Sequence, residues 1–109
     1  GQIVGGNVTI QQSPNSTVIN QTSQKGIINW QSFNIGASEK THFQQPNGCL
    51  TLNRINPTQG ASQIYGHLPA TGQLILINPA GIYFGPLANF NFGNYFVWNW
   101  YVGESSLKY

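Results

Sequence analysis

Gly72-Gln73-Leu74-Ile75-Leu76-Ile77-Asn78-Pro79-Ala80-Gly81-Ile82-Tyr83-Phe84-Gly85 is the stretch on which the fold class turns. Two short β-type runs, Gln73–Ile77 and Ile82–Phe84, flank a four-residue break. Asn78-Pro79-Ala80-Gly81 fits a type I turn: Asn in first place accepts a local hydrogen bond, Pro in second fixes φ, and Gly takes the fourth. Working outward, the period of two recurs. Val8 and Ile10 flank Thr9, Phe33 and Ile35 flank Asn34, Leu50 and Leu52 flank Thr51, and Phe90 and Phe92 flank Asn91. Further strands are predicted at Asn7–Gln11, Thr17–Gln21, Gly26–Trp30, Ser32–Ile35, Thr41–Gln44, Cys49–Ile55 and Ser62–Tyr65, separated by Ser13-Pro14-Asn15, Pro46-Asn47-Gly48 and Asn56-Pro57. No window carries a helical stripe. The chain reads as all-β.

Composition narrows the architecture. Only 6% of the 109 residues are charged, against roughly a quarter in ordinary globular chains. The cations are Lys25, Lys40, Arg54 and Lys108, the anions Glu39 and Glu104, and Asp is absent. Amides fill the gap, with 13 Asn and 11 Gln. A sandwich or small barrel normally carries charge on its outer faces. A solenoid brings equivalent side chains within about 4.8 Å from coil to coil, where like charges repel and stacked amides bond along the stack. Composition therefore suits a solenoid of roughly five coils but does not choose it over the other two, because no literal repeat is visible.

The same inventory excludes several activities. A net charge of +2 on scattered sites offers no basic stripe for nucleic acid. Paired carboxylates for sugar cleavage are missing, since Glu39 and Glu104 are remote in sequence and no Asp supplements them. Gly60-Ala61-Ser62-Gln63-Ile64 lacks the last glycine of a nucleophile elbow. Cys49 with His42 or His67 is the one conceivable nucleophile–base pair, and it has no acidic orienter. Those three residues also lack zinc-site spacing, so neither a metal nor a cofactor is expected. The lone Cys49 reads as a small buried hydrophobe. Asn7-Val8-Thr9, Asn15-Ser16-Thr17 and Asn20-Gln21-Thr22 are formal glycosylation sequons, expected by chance in such a composition. From Gly1 no basic segment followed by an apolar one is read, and no apolar run reaches bilayer length, so a cytosolic chain or the mature form of an exported one is expected, without membrane insertion.

From Gly26 onward the chain resembles a known family. Gly26-Ile27-Ile28-Asn29-Trp30-Gln31-Ser32-Phe33-Asn34-Ile35-Gly36 is similar to a segment of the haemagglutination-activity domain, with weaker likeness back to Gly1. That domain, also called the two-partner secretion domain, begins filamentous-haemagglutinin-like exoproteins. Phe43-Gln44-Gln45-Pro46, Leu52-Asn53-Arg54-Ile55, Ser62-Gln63-Ile64-Tyr65-Gly66-His67-Leu68 and the Gly72–Gly85 stretch follow in the family's order. The resemblance implies a right-handed parallel β-helix with an N-terminal cap and extra-helical β-strands. It implies a secreted or cell-surface protein that passes the periplasm and is recognised there by POTRA domains of an outer-membrane β-barrel transporter. A chain with few charges and no disulfide suits that passage, because it can stay unfolded in transit and gain its stacking energy outside. A carbohydrate- or surface-binding module contacting host glycans is the main rival, and a remnant of a disrupted adhesin gene a third possibility.

The resemblance also marks residues. Asn53, Arg54, Asn78, Pro79, Ala80, Gly81 and Ile82 match the family's secretion motifs, with Ala80 where Asn is usual. The first reading of Asn78–Gly81 is a structural turn; direct contact with the transporter is the sharper one. Arg54, the only arginine, is expected to have a specific partner, with Glu39 the obvious candidate. Trp30, Phe33, Gly66 and Gly72 are expected to be structural. Likeness fades after Gly93, so residues 1–93 are taken as a shortened secretion domain and 94–109 as a divergent aromatic tail. Within that tail, Tyr95–Val102 suits either a cap over an open edge or a surface for self-association.

Overall fold

Alternating apolar and polar residues form strands that bury every second side chain, and the chain is built almost entirely this way. The computed structural model describes residues 1–89, together with the backbone of two later strands, 95–102 and 107–108. In chain order the strands are β1 (Gln2–Gly5), β2 (Val8–Ser13), β3 (Ser16–Gln21), β4 (Lys25–Trp30), β5 (Lys40–Gln44), β6 (Leu50–Ile55), β7 (Ser62–Ile64), β8 (Gln73–Phe84), β9 (Tyr95–Val102) and β10 (Leu107–Lys108). Among the described residues the one helical element is a 3-10 turn at Pro57–Gln59, capped by Asn56.

The strands stack in three parallel columns. In the first, Lys25 of β4 lies opposite Leu50 of β6, and Leu50 lies opposite Gln73 of β8. The next step sets Leu74 opposite Tyr95 of β9. In the second column Ile35 bridges Ile64, and β7 runs beside the later half of β8, with Ser62 opposite Ile82. The third column pairs β3 with β5, then continues through bridges from Lys40 to His67 and from His67 to Asn89. Two antiparallel strands close the N-terminal end: β1 against β4 and β2 against β3.

Inward side chains from all three columns make one core. Ile19, Phe43 and Leu68 come from the third, Ile28 and Leu76 from the first, and Ile64, Ile82 and Phe84 from the second, all fully buried. Each contributes about 2 kcal/mol through removal from water. Trp30 and Phe33 belong to this core, their rings edge-on with centroids 5.1 Å apart. Cys49 is buried and free, as expected.

Three local expectations need correction. Strand β8 does not stop at Asn78; it runs unbroken through Asn78-Pro79-Ala80-Gly81. The bend survives as a corner inside one strand. Ile77 lies opposite Trp98 and Ile82 opposite Trp100, so four residues of β8 stand against Asn99 alone. The Asn78 Oδ1 atom accepts the Ala80 N–H at 2.9 Å, and Gly81 adopts φ 110°, which an L side chain resists. Ser32–Ile35 is no strand; Ile35 alone bridges the next coil. Strand β1 was not foreseen, because Gln2-Ile3-Val4-Gly5 is too short to show alternation. The boundary at Gly93/Asn94, and Phe90 and Phe92 with it, lie outside the described residues.

Candidate functional site

Buried amides inside the stack make hydrogen bonds that reach from coil to coil. Asn53 points inward from β6 and is fully buried. Its Oδ1 accepts Trp30 Nε1–H at 2.8 Å, and its Nδ2 donates to the carbonyls of Ile75 at 3.2 Å and Thr51 at 3.4 Å. One side chain thus ties the preceding coil to the following one. Asn78 is equally buried. Its Nδ2 donates to Ser62 Oγ at 3.0 Å and to the Gly60 carbonyl at 3.2 Å, holding the second column against the corner of β8.

A third set lies where the third column meets the first. Gln45 Nε2 donates to Thr51 Oγ1 at 2.8 Å and to the Gln73 carbonyl at 2.7 Å, while its Oε1 accepts Gly72 N–H at 3.0 Å. Thr51 Oγ1 donates to Gln21 Oε1, and Gln21 Nε2 reaches the Leu50 carbonyl at 2.9 Å. Among the described residues no buried side-chain nitrogen or oxygen lacks a partner. That completeness matters, since each buried polar group left unpaired costs about 1–3 kcal/mol. Sequence reading missed Gln21, Gln45 and Thr51. A signal existed for the glutamines: each follows a core residue by two positions, Gln21 after Ile19 and Gln45 after Phe43, and so shares its inward parity.

The residues singled out from the sequence therefore fall into two groups. Asn53, Asn78, Gly81 and Ile82 are buried, whereas Arg54, Pro79 and Ala80 are exposed. Arg54 does not meet Glu39. Its Nε donates to Asn29 Oδ1 at 2.9 Å, because Asn29 is its register partner on the coil above. Glu39 instead accepts the N–H of Gly36 at 2.6 Å, closing its own loop. Arg54 borders a shallow groove with Gln2, Asn29, Gln31 and Pro57. Gly66 and Gly72 sit where backbones touch. A β-carbon on Gly66 would fall 2.2 Å from the Gly36 carbonyl oxygen, and one on Gly72 would fall 2.6 Å from that of Cys49.

Titratable chemistry is sparse. His42 is held below the ordinary imidazole value of 6.5, first by partial burial and then by the charge of Lys40. Among the described residues no three of His, Cys, Asp or Glu cluster as a metal would need.

The chain matches the TPS secretion domain over residues 2–98 and belongs to that family. Two relatives are Heme/hemopexin-binding proteins of Haemophilus influenzae. One is 41% identical over 81 residues, spanning 72% of this chain and 9% of the relative. The other, from strain Rd, is 33% identical over 96 residues, spanning 87% of this chain and 10% of the relative. The crystal structure of the HMW1 secretion domain from Haemophilus influenzae superposes with a TM-score of 0.68 at 38% identity. That match covers 80% of this chain and 23% of the solved one. The chain thus spans about a tenth of the length of these curated relatives.

Proposed function

We propose that this chain is the secretion-recognition and fold-initiating module of a large exported adhesin, and that it is not an enzyme. In this reading the three columns are the faces of a short right-handed parallel β-helix of roughly five coils. Strands β1 and β2 serve as its N-terminal cap and extra-helical elements. An outer-membrane β-barrel transporter engages the chain through its periplasmic POTRA domains, and the coils close after export, at the cell surface. The observation that carries the proposal is the family match over residues 2–98.

The site geometry divides the labour. Asn53 and Asn78, with no exposed surface, act through folding, by locking each coil to its neighbour. Arg54, Pro79 and Ala80 are the members of the two motifs that stay exposed once the coils have closed. The test is release of this chain by cells with and without a matched family transporter, alongside Asn78→Ala. Transporter-dependent release, reduced at least about tenfold in the variant, is the expected result. Equal release without the transporter, or retention of the native chain in the periplasm, overturns the proposal.

A further inference from the structure

We propose that Asn47, in the corner between β5 and β6, is a self-modification site: on the folded chain its side chain cyclises onto Gly48 and loses ammonia. Asparagine is chemically labile, and its rate depends on the next residue, whose backbone nitrogen is the nucleophile. Of the 13 Asn in the chain, Asn47 alone precedes a glycine. Asn56 and Asn78 precede prolines, which have no N–H to lose, and the others precede residues whose side chains crowd the attack. The fold leaves this one pair unguarded. Asn47 and Gly48 are both exposed. The Cys49 N–H donates to the Pro46 carbonyl at 3.0 Å, and Gly48 takes φ 80°, as the third residue of a type II turn does. Nothing stands within 4 Å of the place a Gly48 β-carbon would occupy. Among the described residues neither the Asn47 side chain nor the Gly48 N–H has a hydrogen-bond partner. Asn53 and Asn78, by contrast, are tied at both amide atoms.

The step balances with water as the sole co-reactant. The Gly48 nitrogen gives up its proton and bonds to Asn47 Cγ; the Cγ–Nδ2 bond breaks, ammonia departs, and a cyclic imide remains. Water then opens the ring. Cleavage between the nitrogen and Cγ leaves Asp in an unaltered backbone. Cleavage between the nitrogen and the main-chain carbonyl leaves isoaspartate, whose backbone runs through Cβ and is longer by one methylene. Both products place a new anion in a chain whose acids are otherwise Glu39 and Glu104. The longer product also acts on the stack, because the corner is pinned at both ends. At one end the Gln45 side chain donates to the Gln73 carbonyl at 2.7 Å and accepts the Gly72 N–H at 3.0 Å. At the other the Cys49 carbonyl accepts the Gln73 N–H at 2.7 Å. Length added between fixed ends is not absorbed by sliding, so isoaspartate loosens the join to the next coil. This site is independent of the secretion reading.

The folded chain, and the same chain unfolded in urea, are held for weeks in mildly alkaline buffer and followed by peptide mapping with mass spectrometry. Isoaspartate is labelled with isoaspartyl methyltransferase. Asn47 converts from amide to acid before any other Asn, at a folded-state rate within about tenfold of the unfolded one. Gly48→Ala slows the conversion at least about tenfold, and Asn47→Gln stops it. The isoaspartyl fraction melts at least about 5 °C below Asn47→Asp, which carries the charge without the added length. The proposal is overturned if the folded chain keeps the Asn47 amide while the unfolded chain loses it, if Gly48→Ala converts as fast as the native chain, or if the isoaspartyl fraction melts together with Asn47→Asp.

Discussion

The hydrogen bond between Trp30 Nε1 and Asn53 Oδ1 can be weighed by a double-mutant cycle. Asn53→Leu keeps the branched shape, with somewhat more bulk, and removes the acceptor, leaving a buried indole N–H without a partner and the Ile75 carbonyl without the amide donor. The orphaned donor costs about 1–3 kcal/mol and the lost bond to Ile75 about 1 kcal/mol, so about 3 kcal/mol is expected in all. For a domain of this size that lowers the melting temperature by about 15 °C. Trp30→Phe orphans Asn53 Oδ1 and opens a small cavity, at about 2–3 kcal/mol. In the double variant neither group is orphaned, so the two effects should fall short of their sum by about 1.5 kcal/mol. Urea unfolding followed by far-UV circular dichroism measures all four proteins, with equal m-values as the control for the unfolded state. Additivity within about 0.5 kcal/mol would refute the role assigned to this bond.

Three further outcomes are expected. Gly66→Ala should destabilise by about 3 kcal/mol or more, because the carbonyl oxygens of Gly36 and Glu39 lie only 2.2 and 2.3 Å from the new methyl and belong to backbone that cannot retreat. Gly48→Ala, with a φ of 80° and nothing within 4 Å, should cost only the left-handed penalty of about 1–2 kcal/mol, and thermal melts showing the reverse order would count against the model of close coil contact. His42 should make stability fall slightly on acidification. Its folded pKa lies below 6.5, so the unfolded chain binds the proton more readily; the contribution present above 6.5 is lost as the pH drops from there toward the folded value. Unfolding midpoints across this range should flatten in His42→Gln, and an unchanged slope would assign the pH dependence elsewhere.

Much of this fold was legible in the sequence because period two survives wherever one strand face is buried. The Val8-Thr9-Ile10 and Phe33-Asn34-Ile35 alternations are examples, though only the first lies in a strand; in Leu50-Thr51-Leu52 the phase is reversed, with Thr51 buried and both leucines facing outward. The repeat was invisible for a physical reason. Lys25 aligns with Leu50, but Leu50 aligns with Gln73 and Leu74 with Tyr95, so coils differ in length while their strands keep register. The site was half legible. Resemblance pointed to Asn53 and Asn78, but not to the fact that both face inward, since polarity in a strand is ordinarily read as exposure. Arg54 was misassigned because Coulomb attraction suggested Glu39, whereas register put Asn29 beside it.

The antiparallel strands β1 and β2 have a consequence best put in the language of polymers. A parallel stack is a polar filament: its two ends are chemically different, and a coil added at either end must run in the same sense as the last. Antiparallel partners on β4 and β3 occupy the edges where a coil would otherwise join at the N-terminal end. Elongation is therefore blocked on that side, and growth has one direction, from N to C terminus. That is also the order in which a chain emerging N-terminus first delivers its coils.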